Sequence, residues 1–147
     1  MFTLDASSLK RKLQTLAARL ENAVEAGLND AAETGAVKAR TTTIYTPRSP
    51  TGLQARTYAE TTGKLQRRII ANTFYASWVN FGNGPPGSRI YPVRAKALRF
   101  VINGQVFYRK WVRASKPKPF MTQTNEFEKT YLKQAIATSV QNLITRL

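Results

Sequence analysis

Few side chains in this chain are able to do acid–base or metal chemistry, and their types narrow what the protein can be. Eight carboxylates are spread over 147 residues, with no histidine and no cysteine. The missing histidine removes the commonest general base at neutral pH and the commonest zinc ligand. The missing cysteine removes thiolate nucleophiles, disulfides and thiolate metal sites. Catalysis would have to rest on carboxylates, lysines or tyrosines. Asp5, Glu21, Glu25, Asp30 and Glu33 fall in an N-terminal segment whose helical spacing places them on a solvated face. Glu60 stands alone, and Glu126 and Glu128 open a C-terminal segment. No spacing announces a working acid and base. The expectation is a protein that is not an enzyme and holds no metal or cofactor. A nuclease or toxin is the weakest alternative, because it would need an acidic metal cluster or a histidine.

The cations say more. Formal net charge is +15. Residues 61–125 contain twelve Lys and Arg and no Asp or Glu, while the flanking segments are nearly neutral. Such a segment repels itself when folded and calls for a partner. Phosphate backbone is the common one, held by counterion release without sequence reading. Arg67, Arg68, Arg94, Lys96, Arg99, Lys110, Arg113 and Lys116 are the candidate phosphate-facing residues. The competing explanations are a surface charged for solubility and one that pairs with an acidic neighbouring subunit.

The elements that would position these residues follow from periodicity. The length suits one domain with a single modest core. No apolar run approaches the roughly 20 residues of a membrane span. The N-terminal MFTLDASSLKRK lacks the charged-then-apolar order of a secretory signal, so an uncleaved, soluble protein is expected. Leu4, Leu9, Leu13, Leu16, Leu20, Val24 and Leu28 form a helical stripe over residues 4–40, a core face or subunit seam. Asp5, Ser7 or Ser8 could cap this helix, and Gly27 and Gly35 could kink or break it. Residues 41–62 have no sustained period and contain Pro47, Pro50 and Gly52, which predicts a long mobile loop. Gly63 to Ile70 reads as a short helix with Leu65 and Ile69 inward.

The aromatic run FYASWVNF and the turn GNGPPG follow; no GK[ST] completes a phosphate loop there. Residues 97–112 read as a hairpin about Asn103-Gly104, pairing Ile102 with Gln105, Phe100 with Phe107 and Leu98 with Arg109. Leu98, Phe100, Ile102, Phe107 and Trp111 form its expected core face, and Arg99, Val101, Val106, Tyr108, Lys110 and Val112 a cationic one. Alternating aromatics and cations suit single-strand stacking, or simply a half-buried strand. Asn125 and Glu128 resemble a capping box before a last helix with Leu132, Ile136, Val140, Leu143 and Leu147 on one side. The expected fold class is α+β, with long N- and C-terminal helices packed on a small antiparallel sheet that contains the 97–112 hairpin.

The order of these pieces resembles one family, the small neck and tail-completion proteins of long-tailed bacteriophages. Its members carry a TG-x-L-[RK] segment, a YA-x-x-V-E-F-G stretch and a Pro-Phe step before the last helix. Here these correspond to Thr62, Gly63, Leu65 and Arg67; to Tyr75, Ala76, Val79, Phe81 and Gly82; and to Pro119 and Phe120. Asn80 stands where the family usually has glutamate. The resemblance implies a virion structural protein of the head–tail connection, made in the host cytoplasm. It would form a homo-oligomeric ring, a hexamer in expectation, beside other neck and tail proteins, with genomic DNA passing through without sequence specificity and no membrane involved. Tyr45, Pro47, Arg48, Tyr75, Trp78 and Phe81 are the candidate assembly contacts. The alternative is a free-standing basic nucleic-acid-binding protein.

Overall fold

A computed structural model describes residues 6–46, 52–102 and 104–146. Element order is α1 (Ser7–Arg40), β1 (Thr57–Gly63), β2 (Gln66–Ala71), α2 (Ala76–Phe81), β3 (Arg89–Ile90), β4 (Leu98–Ile102), β5 (Gln105–Arg109), β6 (Val112–Arg113) and α3 (Phe120–Ile144). The class is α+β, as the periodicity predicts. Its strands form three separate antiparallel pairs, β1–β2, β3–β6 and β4–β5, rather than one sheet.

Helix α1 runs unbroken for 34 residues, about 50 Å. Ala6 occupies its N-cap position, so Ser7 and Ser8 lie inside the first turn; Asp5 is outside the described residues. Gly27 and Gly35 do not kink it. They allow a close crossing with α3 instead. A Cβ on Gly27 would stand 2.7 Å from the Ile136 Cα, and one on Gly35 would strike the Glu128 carboxylate and Ile69. Ala31, Ala32, Ala36 and Ala39 complete a buried stripe of small residues. The facing pairs fix the register. Gly27 meets Ile136, the Tyr131 hydroxyl donates to Asp30 Oδ2 at 3.1 Å, and Lys38 Nζ sits 5.7 Å from the Phe127 ring centre. Rising numbers on α1 meet falling numbers on α3, so the two helices are antiparallel.

The β1–β2 hairpin lies along α1 and corrects two expectations. Residues 57–62 are strand, not loop, and 63–70 are a turn and strand, not helix. Arg67 and Ile69 are less exposed than their neighbours Gln66 and Arg68, the alternation of a strand with one covered face. Leu65, spaced as if to join Ile69 on a helix, is an exposed turn residue. The β-branched Ile69 and Ile70, opposite Ala59 and Tyr58, favour the pleated pairing. Residues 47–51 of the expected loop lie outside the described residues.

Helix α3 starts at Phe120, five residues before the expected capping box, so Asn125 and Glu128 are interior to it. Its first turn is capped from another element. Asn80 at the end of α2 is buried, and its Oδ1 accepts from the Met121 N–H at 3.0 Å. The following Gly82 has φ +81°, and a Cβ there would lie 2.9 Å from the Ser115 carbonyl oxygen. The core is small and sits where these parts converge: Ala39, Tyr45, Leu53 and Phe120, with Tyr45 and Phe120 edge to face at 5.2 Å.

One polar atom in the helix seam is left unanswered. Glu128 Oε1 is buried without a hydrogen-bond partner. Burial, and then the nearby Asp30 charge, push its carboxyl above the ordinary carboxylate pKa. A raised folded pKa means that the folded chain holds this proton more tightly than the unfolded one. The ionised form therefore weakens the fold at high pH, and the penalty fades as pH falls through the raised value. Glu128→Gln is expected to raise Tm by ~3 °C at mildly alkaline pH. In melts followed down to about pH 4 the gap should close; a gap that widens toward acid would contradict the assignment.

Candidate functional site

In the body formed by α1, α3 and β1–β2, three acidic side chains are paired with cations. Glu21 binds Lys64 Nζ at 2.8 Å, Glu25 binds Arg67 Nη2 at 2.8 Å, and Glu60 binds Arg68 Nη2 at 2.6 Å from directly across the β1–β2 ladder. Glu21 and Glu25 thus hold a hairpin against α1 rather than lining a solvated face. Glu60 does not stand alone.

These contacts take Arg67 out of the phosphate-facing set, while Arg68, its side chain 62% exposed, is paired at the surface. The Arg67 side chain is only 7% exposed; besides Glu25 it reaches Asn29 Oδ1 and the Gly63 carbonyl. Its guanidinium is a structural strut, and five donors in a fixed fork suit that role. Arg68 is committed to Glu60 at the surface. The signal for this was present in the sequence as Glu21 and Glu25 at one helical step, facing Lys64 and Arg67 three residues apart.

The remaining cations lie elsewhere. Arg94, Lys96, Arg99, Lys110, Arg113 and Lys116 are all exposed, and none has a carboxylate partner among the described residues. They cluster along the arm that runs from β3 through the β4–β5 hairpin to the strand preceding α3. The hairpin register is as the sequence predicts, Leu98↔Arg109, Phe100↔Phe107 and Ile102↔Gln105; Asn103 itself is outside the described residues. Its expected core face, however, is only partly covered, with Leu98 and Phe100 half-buried. Ile102, Phe107 and Trp111 are exposed on one side, and Val101, Val106 and Tyr108 on the other. Arg99 lies opposite Tyr108, which is 63% exposed. At the arm's base the Arg89 guanidinium stacks on the Trp111 ring at 4.2 Å, and β3–β6 anchors the arm through the pair Ile90↔Val112.

A cleft of about 530 Å³ lies at the root of the arm. It brings together Tyr45, Tyr75, Trp78 and Lys116, four residues singled out from the sequence, with Lys118 beside them. Tyr45 is a correction as an assembly contact. It belongs to the core, its hydroxyl is buried without a partner, and burial followed by the Tyr75 charge raises its pKa. Trp78 and Phe81 are exposed as a contact surface requires, and Phe74, 83% exposed, stands edge-on to Tyr75 and Trp78. Phe74 opens the aromatic run of the sequence but is not among the candidate contacts; it precedes α2 by two residues. Pro47 and Arg48 lie outside the described residues. No helix here is long and apolar enough to cross a membrane, among the described residues.

The two cation classes should separate experimentally. Arg67→Gln is expected to cost roughly 2–3 kcal/mol of stability, read from urea unfolding, because it leaves Glu25 and Asn29 unpaired. Replacing Arg99, Lys110 and Lys116 by glutamine should leave the urea midpoint nearly unchanged. The triple change should flatten the log–log salt dependence of duplex binding by about 1 per lost phosphate contact. The reverse pattern would mean that the strut and the arm have been confused. Compared with known protein families, with curated proteins and with solved structures, the chain matches none.

Proposed function

We propose that this chain is a structural subunit of the head–tail connection of a long-tailed bacteriophage. In this reading copies of it build a homo-oligomeric ring through which the genome passes, with other neck and tail proteins stacked on it. The observation that carries the reading is the β4–β5 arm. A lone two-stranded hairpin is marginally stable in water, yet both faces of this one expose large apolar side chains next to unpaired cations. Apolar exposure of that kind marks a surface that another molecule covers. Packing each arm on the next copy would bury the apolar residues, and turning Arg99, Lys110 and their neighbours to a channel would let phosphate offset the charge. Contacts to phosphate alone, with no base read, leave DNA free to slide.

The exposed aromatics Phe74, Trp78 and Phe81 offer a second contact surface. The Thr62, Gly63, Leu65, Arg67 and Tyr75-to-Gly82 motifs support the reading from the sequence side. One observation favours the alternative of a free-standing nucleic-acid binder: Tyr108 opposite Arg99 is a ready platform for a stacked base. The two readings differ in what the isolated monomer does. A free-standing binder holds single strands tightly as a monomer, with affinity that falls steeply in salt. Native mass spectrometry of the purified protein and electron microscopy of intact necks test the ring. A closed oligomer in either setting is expected; a monomer in both would overturn the proposal.

A further inference from the structure

The first half of α1 carries an apolar stripe that no other element covers among the described residues. Leu9, Leu13, Leu16 and Leu20 are 41–57% exposed. Ala6, Leu9, Leu13 and Ala17, with Lys10 and Gln14, frame a shallow hollow of about 450 Å³. The cause is a mismatch in helix length. The antiparallel register that sets Gly27 against Ile136 brings the end of α3 level with Leu20, so residues 7–16 of α1 project beyond it.

Two features identify what fits there. The first is spacing. Steps of four, three and four residues place the leucines in an a/d heptad seam, too narrow for a lipid-facing surface and suited to a second helix. The seam is continuous with one already filled: Leu13, Leu20 and Gly27 follow at intervals of seven, and Gly27 is the residue covered by α3. A second helix would carry on where α3 stops. The second feature is charge. The positions that flank the seam are Lys10, Lys12, Ala17 and Arg19, without an acid among them. Two copies paired antiparallel through this seam would set Lys12 against Arg19, a repulsive arrangement, and two parallel copies would set Lys12 against Ala17, which adds no attraction. The nearest acid, Glu21, is held by Lys64.

We propose that the projecting end of α1 docks an acidic amphipathic helix from a different protein, with leucine-like residues at its own a and d positions and Glu or Asp flanking them. This surface is independent of the cationic arm and of whether the arm builds a ring. Four leucines bury less than a standard interface, so the contact is of micromolar strength alone and gains from avidity in an assembly.

The test uses the full chain and two synthetic three-heptad peptides, both with Leu at a and d, one with Glu and one with Lys at e and g. Fluorescence anisotropy should detect binding of the Glu peptide at least roughly tenfold tighter than the Lys peptide. Leu13→Glu should weaken it by roughly tenfold or more, and the combined change Lys12→Glu with Arg19→Glu should reverse the preference between peptides. Leu13 lies beyond the end of α3, so an unchanged melting curve certifies the fold of that variant. Equal binding of the two peptides, or no binding of either, would overturn the proposal. So would a chain that self-associates in sedimentation velocity until Leu13 is changed, which would make the occupant a second copy. Binding to phosphatidylcholine–phosphatidylserine vesicles that Leu13→Glu abolishes would likewise assign the stripe to lipid.

Discussion

The closeness of α1 to α3 is the constraint on which the rest of the structure depends. Helices whose facing surface is Gly27, Ala31, Ala32, Gly35 and Ala36 can approach until backbone meets backbone. That approach fixes the antiparallel register, and the register decides which parts of the chain are covered. It leaves a slot along α1 that the β1–β2 hairpin fills through Ile69, and it seats Phe120 against Tyr45 at one end. At the other end it leaves α1 longer than its partner. A larger side chain at Gly27 would therefore disturb contacts far from itself, because hairpin, core and overhang all follow from one crossing.

The same crossing governs the electrostatics. With the hairpin against α1, Glu21 and Glu25 become ligands of Lys64 and Arg67, and the ladder gives Glu60 to Arg68. The body thereby pairs three of the eight carboxylates with cations of its own. What remains, from Arg89 to Lys118, is an arm of cations and exposed apolar residues with no acid of its own. The excess of positive charge is in this sense a property of how the fold distributes its few carboxylates. Among the described residues no carboxylate pairs with the cations of this arm.

Much of this was legible beforehand, and the failures have physical causes. The α1 and α3 periodicities and the Asn103-Gly104 turn signal are local, so helices and hairpin register could be read directly, down to Phe100 opposite Phe107. Gly27 and Gly35 were ambiguous, since glycine serves a kink and a close approach equally and only the partner helix distinguishes them. The strand at 66–71 was read as helix because Leu65 and Ile69 satisfy a four-residue step in so short a window. The arm's cations were visible as a block, but Arg67 and Arg68 belong to the body, a fact that depends on acids some forty and eight residues away. Tyr45 was placed among the surface aromatics because a lone tyrosine after a helix gives no sign that Phe120 closes over it. Long-range pairing, not local propensity, decided each of these.

The central claim is that the β4–β5 arm is unfinished until another molecule covers it. Hydrogen exchange of the hairpin amides tests this most directly, measured on the isolated chain and on the assembly proposed for it. The account predicts fast exchange across β4 and β5 in the isolated chain, against slow exchange in the buried parts of α1 and α3, and strong protection of the hairpin after assembly. A hairpin as protected as the helices in the isolated chain, or one still fast in the assembly, would contradict it.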